Sequence, residues 1–116
     1  MVSHPFNSEL KIGSKTISKN SPCFIIAEAG VNHNGDFDNA IKLVDIAKES
    51  GVDAVKFQHF NSEELILKDV EMASYQKTNT ESTDSQYEML KKIELSIDQL
   101  KELKIYAESN GLIFLC

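Results

Sequence analysis

From residue 10 to residue 19 apolar and polar positions alternate on either side of Gly13 and Ser14 (LKIGSKTISK), a pattern that predicts a short β-hairpin, and Pro22 punctuates its end. The period then changes. CFIIAE, 23–28, is apolar throughout until it ends on Glu28, which predicts a strand buried on both faces, as in a parallel sheet. Phe37, Ala40, Ile41, Val44 and Ala47 recur at helical spacing. Asp36 stands where an N-cap belongs, Asp38 falls in the first turn where the helix dipole favours an anion, and Gly51 stands where the chain leaves the helix. DAVKFQ, 53–58, predicts a second strand. Two further helices open on capping boxes, Ser85 with Glu88 and Ser96 with Gln99. Leu100, Leu103 and Ala107 give the last helix its inner face, Gly111 ends it, and LIFLC, 112–116, predicts a third apolar strand.

The predicted order is hairpin, β, α, β, loop, α, α, β. Strands alternating with helices imply right-handed crossovers and a parallel sheet, so the fold class is α/β. Residues 1–22 form the hairpin segment and 23–116 the strand–helix part, with no repeat, low-complexity tract or linker between them. The polar stretch from His59 to Asp84 is too long for an inert connection, because structureless loops beyond about 12–15 residues are either functional or disordered. It carries Tyr75, Gln76 and Asn79 and reads either as a mobile surface loop or as a rim over a polar ligand.

Composition narrows the classes. The 116 residues carry 12 basic and 18 acidic side chains, a formal charge of −6, which argues against nucleic acid or an anionic membrane as the main partner. It does not argue against a small anionic substrate, since one lysine can hold a phosphate or carboxylate. There is no apolar run of the roughly 18 residues that a membrane span needs, and the N-terminus has neither the basic nor the apolar region of a signal peptide. Cys23 and Cys116 make neither a disulfide framework nor a metal-ligand spacing and are expected to be buried thiols. Phe37, Met89 and Leu90 are core by default, and a cytoplasmic protein is expected.

Chemistry concentrates where the strands end. Side chains alternate across a strand, so Phe24, Ile26 and Glu28 share one face of the first, and Ala54, Lys56 and Gln58 share one face of the second. Val55 and Phe57 suit packing under helices, which sends Lys56 and Gln58 to the other side, beside Glu28, at the C-terminal ends of neighbouring strands. Active sites of parallel α/β folds lie at that end. An acid and a lysine there can bind an anion and move a proton; a structural ion pair is the plainer reading of the same residues. In VNHNGD, 31–36, Asn34 and Gly35 tolerate left-handed backbone and Asp36 caps a helix, while Asn32 and His33 could line a polar pocket. A lone His33 is more often a hydrogen-bonded loop residue than a metal ligand.

FIIAEAGVNHNGD, AVKFQ, YQKTNT, SQYEMLKKIELS and ESNGLIFL together resemble, in order and spacing, the N-terminal third of bacterial sialic acid synthases (N-acetylneuraminate synthases), over roughly residues 10–116. The pairing of AExGxNHxG with KFQ one helix later is far more specific than either motif alone. The resemblance implies a (β/α)8 TIM barrel preceded by a hairpin, of which 23–116 would be the first three βα units, and a small C-terminal domain further on. It implies a transferase that forms a carbon–carbon bond between phosphoenolpyruvate and N-acetylmannosamine or a related N-acyl sugar. The product is a nine-carbon 2-keto acid of sialic acid biosynthesis, and phosphate leaves by carbon–oxygen cleavage. A divalent metal, manganese or magnesium, would assist, and the full-length enzyme is expected to be a homodimer. Residue by residue, the acid of AExG is Glu28, which would be catalytic and face the sugar and the reacting carbons. The lysine of KFQ is Lys56, which would contact phosphoenolpyruvate. Gln58 and, by a looser match, Asn79 would lie near the sugar, and Asn32, on the loop that shapes the pocket floor, would be substrate-binding. The family's two metal-binding histidines are downstream of these motifs, and none of His4, His33 or His59 replaces them; His59 departs from a position that is often threonine.

Two other readings compete. A (β/α)8 barrel takes about 250 residues, so a chain of this length also fits a truncated, non-catalytic fragment, inactive alone. A sibling synthase making legionaminic or pseudaminic acid is the other, and the motif set leans to the neuraminic and legionaminic branches.

Overall fold

The computed structural model describes residues 7–65 and 85–116. The hairpin forms as the alternation predicts: β1 (Glu9–Ile12) pairs antiparallel with β2 (Lys15–Ser18), and Gly13 takes the positive φ that the tight turn needs. The strand–helix part follows as β3 (Ile26–Gly30), α1 (Phe37–Glu49), β4 (Ala54–Phe57), α2 (Ser62–Leu65), α3 (Gln86–Lys92), α4 (Ile97–Ser109) and β5 (Ile113–Leu115). Strands β3, β4 and β5 form a parallel sheet in that spatial order.

Spatial order equal to chain order means that each crossover steps one strand in the same direction. Right-handed crossovers then place the helices on one face. The core agrees: Ala40, Val44 and Ala47 of α1 and Leu100, Leu103 and Ala107 of α4 are buried in one cluster with Val55 and Phe57 of β4. Alanines at two of the three buried positions of α1 let that helix sit close to the strands. Tyr106 on α4 donates its hydroxyl to Asp45 on α1 at 2.7 Å, and the Lys48 ammonium donates to Asn110 at 2.7 Å, so polar contacts flank the apolar seam between the two helices. The caps form as expected. Asp36 accepts from the Asn39 N–H, and both capping boxes close.

The opposite face of the sheet reads in rows set by the register. Ile26, Ala54 and Ile113 form one row; Glu28, Lys56 and Leu115 form the next, one step nearer the C-terminal ends. The hairpin covers the N-terminal end of this face, and a Cβ on Gly13 would come within 3.3 Å of the Ile113 side chain. Asp53 ties the pieces: one carboxylate oxygen accepts the Ile25 N–H at 2.8 Å, and the other meets the Lys15 ammonium on β2 at 2.9 Å.

Several expectations need correction. The first strand lies at Ile26–Gly30 rather than 23–28, and it is not buried on both faces: Ile25 is 51% and Ile26 45% exposed. A lone apolar run reports hydrophobicity, not what covers it, and among the described residues β3 has β4 as its sole neighbour and no layer over its Ile26–Glu28 face. Cys23 and Cys116 are exposed, since each falls outside the packed layer at a strand end. Met89 and Leu90 are half-buried, and α3 has no fully buried residue. The polar stretch after His59 opens on a short helix, α2, signalled by Asn61, whose side chain accepts the Glu63 N–H at 3.1 Å; Tyr75, Gln76 and Asn79 lie outside the described residues.

Candidate active site at the strand ends

The site begins with a register. Glu28 on β3 and Lys56 on β4 are direct cross-strand partners in the parallel ladder, on the face that the helices do not cover. Their charged ends meet at 2.8 Å, with the side chains 52% and 44% exposed. Partners at one register position have Cα atoms about 5 Å apart, so the contact follows from strand pairing and alternation. The pair sits at the C-terminal end of the strands, where the β3 ladder is interrupted: the register shifts between Glu28 and Gly30, and Gly30 adopts φ +54°. The irregularity ends regular pairing directly after the acid, and irregularities of this kind re-aim side chains beside functional sites. Gln58 follows β4 by one residue; its N–H donates to the Gly30 carbonyl at 3.3 Å, and its side chain is exposed. Asn32 is exposed on the loop after β3, its N–H donating to the Ala29 carbonyl at 3.0 Å. The fold therefore brings Glu28 and Lys56 into contact and places Asn32 and Gln58 just past the C-terminal ends of the two neighbouring strands, while Asn79 lies outside the described residues.

The loop carries both of its readings. Asn34 and Gly35 are left-handed, φ +53° and +76°, and Asp36 caps α1. Gly35 also has no alternative on steric grounds, because a Cβ there would collide with the Lys92 carbonyl oxygen at the end of α3. His33 does not line an open pocket. It is fully buried, its ring 6.1 Å from that of Phe57, on the helix side of the sheet. Its Nδ1 accepts the Gly35 N–H at 3.0 Å, which places the proton of the neutral ring on Nε2, and Nε2 is buried without a hydrogen-bond partner. Burial lowers the His33 pKa below its ordinary value. The histidine thus pins the loop that leads out of the site.

Two anchors escaped the reading of the sequence. Asp53 is one; the Ile25 N–H and then the Lys15 ammonium hold its carboxyl below the usual range. The other is Glu94, before α4, which accepts both the hydroxyl (2.7 Å) and the N–H (3.2 Å) of fully buried Ser62. The Ser62 hydroxyl is the main reason that the Glu94 pKa is also lowered. This contact ties the start of α2 to the α3–α4 junction. Both acids make contacts across 28 or more residues of chain, and periodicity carries no trace of a partner so distant.

Among the described residues no three His, Cys, Asp or Glu side chains gather into a set that could hold a metal, and no helix is long and apolar enough to cross a membrane.

A profile of the NeuB family matches residues 43–116. The chain belongs to the NeuB family. It is 52% identical over 103 residues to the N,N'-diacetyllegionaminic acid synthase of Legionella pneumophila, covering 89% of this chain and 29% of that protein. It is 38% identical over 116 aligned residues to the human N-acetylneuraminate-9-phosphate synthase, covering 95% of this chain and 30% of that one. Among solved structures, the N-acetylneuraminic acid synthetase of Leptospira borgpetersenii superposes with a TM-score of 0.70 at 30% identity over 92% of this chain and 33% of that one. The chain thus spans less than a third of the length of the two curated relatives just described, both of them synthases of acidic sugars.

Proposed function

We propose that this NeuB-family chain forms the N-terminal staves of a (β/α)8 barrel synthase that condenses phosphoenolpyruvate with N-acetylmannosamine or a related N-acyl sugar. Strand order equal to chain order, with the helices on one face, supports the barrel, because continued steps of the same hand curl a sheet into closure. The observation that carries the chemistry is the Glu28–Lys56 pair on the uncovered face at the C-terminal strand ends. On this reading Lys56 holds the anionic groups of phosphoenolpyruvate as a compact point charge. Glu28 orients the acceptor's hydroxyls or a water and handles a proton at the reacting carbons. Gln58 and Asn32 would bind substrate beside the pair, and Asn79, outside the described residues, is assigned to the sugar by its motif alone. The methylene carbon of phosphoenolpyruvate bonds to the sugar's aldehyde carbon, water supplies the oxygen that becomes the new 2-keto group, and phosphate departs with its bridging oxygen. A divalent metal, manganese or magnesium, would polarise the aldehyde; its ligands belong to parts of the enzyme beyond the residues described. The enzyme would work as a homodimer in the cytoplasm.

The acceptor has a second reading. The Legionella relative at 52% identity and a Campylobacter jejuni relative at 46% are both N,N'-diacetyllegionaminic acid synthases, which favours the corresponding diacetamido sugar over N-acetylmannosamine. The test supplies purified full-length protein with phosphoenolpyruvate, manganese and either sugar, and follows phosphate release and 2-keto acid formation. One sugar should yield both products, and Glu28→Gln should lower kcat by 100-fold or more, the scale expected when a proton-handling group is lost. Activity of that variant within a few-fold of wild type removes Glu28 from the chemistry. Lys56→Ala should weaken phosphoenolpyruvate more than the sugar in calorimetric titration; equal losses make the lysine structural.

A further inference from the structure

We infer that Glu28 is a built-in competitor for the anion site: its carboxylate occupies Lys56 in the empty site, and an anionic substrate must displace it. The inference rests on the anion-binding role proposed above for Lys56. In the structure the Lys56 ammonium is committed to Glu28 at 2.8 Å, and the contact follows from the parallel register that makes the two residues cross-strand partners. Among the described residues no other hydrogen bond or ion pair engages either charged end.

An anion arriving at Lys56 meets a carboxylate already there. Both cannot keep short contacts with one ammonium without bringing two negative charges together, and like charges this close repel at any dielectric. The arrangement favours exchange because a phosphate offers more charge and more acceptor oxygens than one carboxylate. Glu28 is followed directly by the ladder irregularity and the left-handed Gly30, where a Cβ would stand 3.6 Å from its Oε1. The consequence for the reaction is a link between the two halves of the site. A carboxylate tied to Lys56 through Oε2 offers the acceptor only its other oxygen, and one released by the anion offers both.

The test is isothermal titration of the full-length protein with phosphoenolpyruvate and, separately, with inorganic phosphate, in four forms: wild type, Glu28→Gln, Lys56→Met and the double variant. Glu28→Gln keeps the shape of the side chain and removes the competitor. It should bind both anions about two- to five-fold more tightly than wild type, the range that corresponds to losing a weak ion pair. The same substitution in the Lys56→Met background should give a distinctly smaller gain. Unchanged or weaker binding by Glu28→Gln overturns the inference, since the carboxylate would then be holding Lys56 in place for the anion. An equal gain in both backgrounds also overturns it, because the effect would be a general field and not competition for the lysine. If wild type binds neither anion, the proposed function itself fails, and the inference fails with it.

Discussion

His33 shows how much one side chain in a loop can carry without touching substrate. It is fully buried against Phe57, and its Nδ1 holds the Gly35 N–H while Nε2 has no partner. The protonated ring would need to bury a charge and give up the Nδ1 acceptor, and burial accordingly lowers its pKa. The sign follows from linkage. Above the unfolded-state value near 6.5 both states carry neutral histidine and His33 adds no pH dependence. As the pH falls below it, the unfolded chain takes up a proton that the folded chain refuses, and stability drops by up to about 1.4 kcal/mol per pH unit until the folded pKa is reached. Urea unfolding of the full-length protein followed by circular dichroism between pH 7.5 and 5, at fixed protein concentration, should show that decline, and His33→Gln should flatten it. Equal slopes for the two proteins would mean that His33 is solvated or partnered in solution. Asp53 acts with the opposite polarity: its lowered pKa stabilises the fold above the ordinary carboxylate range and ceases to as the pH falls through the folded value.

Among the elements, α4 is the one on which the layer depends. Its capping box sets the start at Ser96, and Leu100, Leu103 and Ala107 set which side turns inward. Leu103 is wholly buried in the cluster that joins α1, α4 and β4. Leu103→Ala should destabilise the protein by roughly 2–5 kcal/mol, a large-to-small change in a packed seam. The same urea titration reads it, and a loss below about 1 kcal/mol would show that α4 packs loosely. Ile105, on the same helix, is 69% exposed, so Ile105→Ala is the matched control and should change stability by about 0.5 kcal/mol or less. The short α2 depends on a different device. Ser62 is buried, and its N–H and hydroxyl both reach Glu94, so a four-residue helix is held by a distant carboxylate instead of by its own length.

At the scale of the whole molecule, among the described residues the helices cover one face of the sheet and the hairpin covers only the N-terminal end of the other. The helices cover Val55 and Phe57, while Ile25 and Ile26 stay about half-exposed, and among the described residues β3 and β5 each have a strand on one side only. Unpaired edges and exposed apolar side chains invite association. Residues 1–116 expressed alone should therefore self-associate and unfold without a sharp transition. Sedimentation velocity across a range of concentrations, with thermal melts, checks this. A monodisperse monomer with a cooperative transition would establish the segment as a domain that folds by itself.

The linear order of residues determined the elements and most of their limits. Capping boxes, the Asn34-Gly35 turn and the helical spacing on α1 and α4 are local, acting within a few residues, and the structure forms them where the pattern predicts. Alternation also assigned Val55 and Phe57 to one face of β4 and Lys56 to the other, and so made Glu28 and Lys56 candidates for contact. The tertiary structure alone decided the rest. It set the register that brings those two charges to 2.8 Å, the exposure of Ile25 and Ile26, the burial of His33, and the anchors at Asp53 and Glu94. The reason is range: a cap or a turn is settled by neighbours in the chain, whereas burial and long-distance hydrogen bonds depend on which segments arrive from far away, and periodicity records only which side a residue faces.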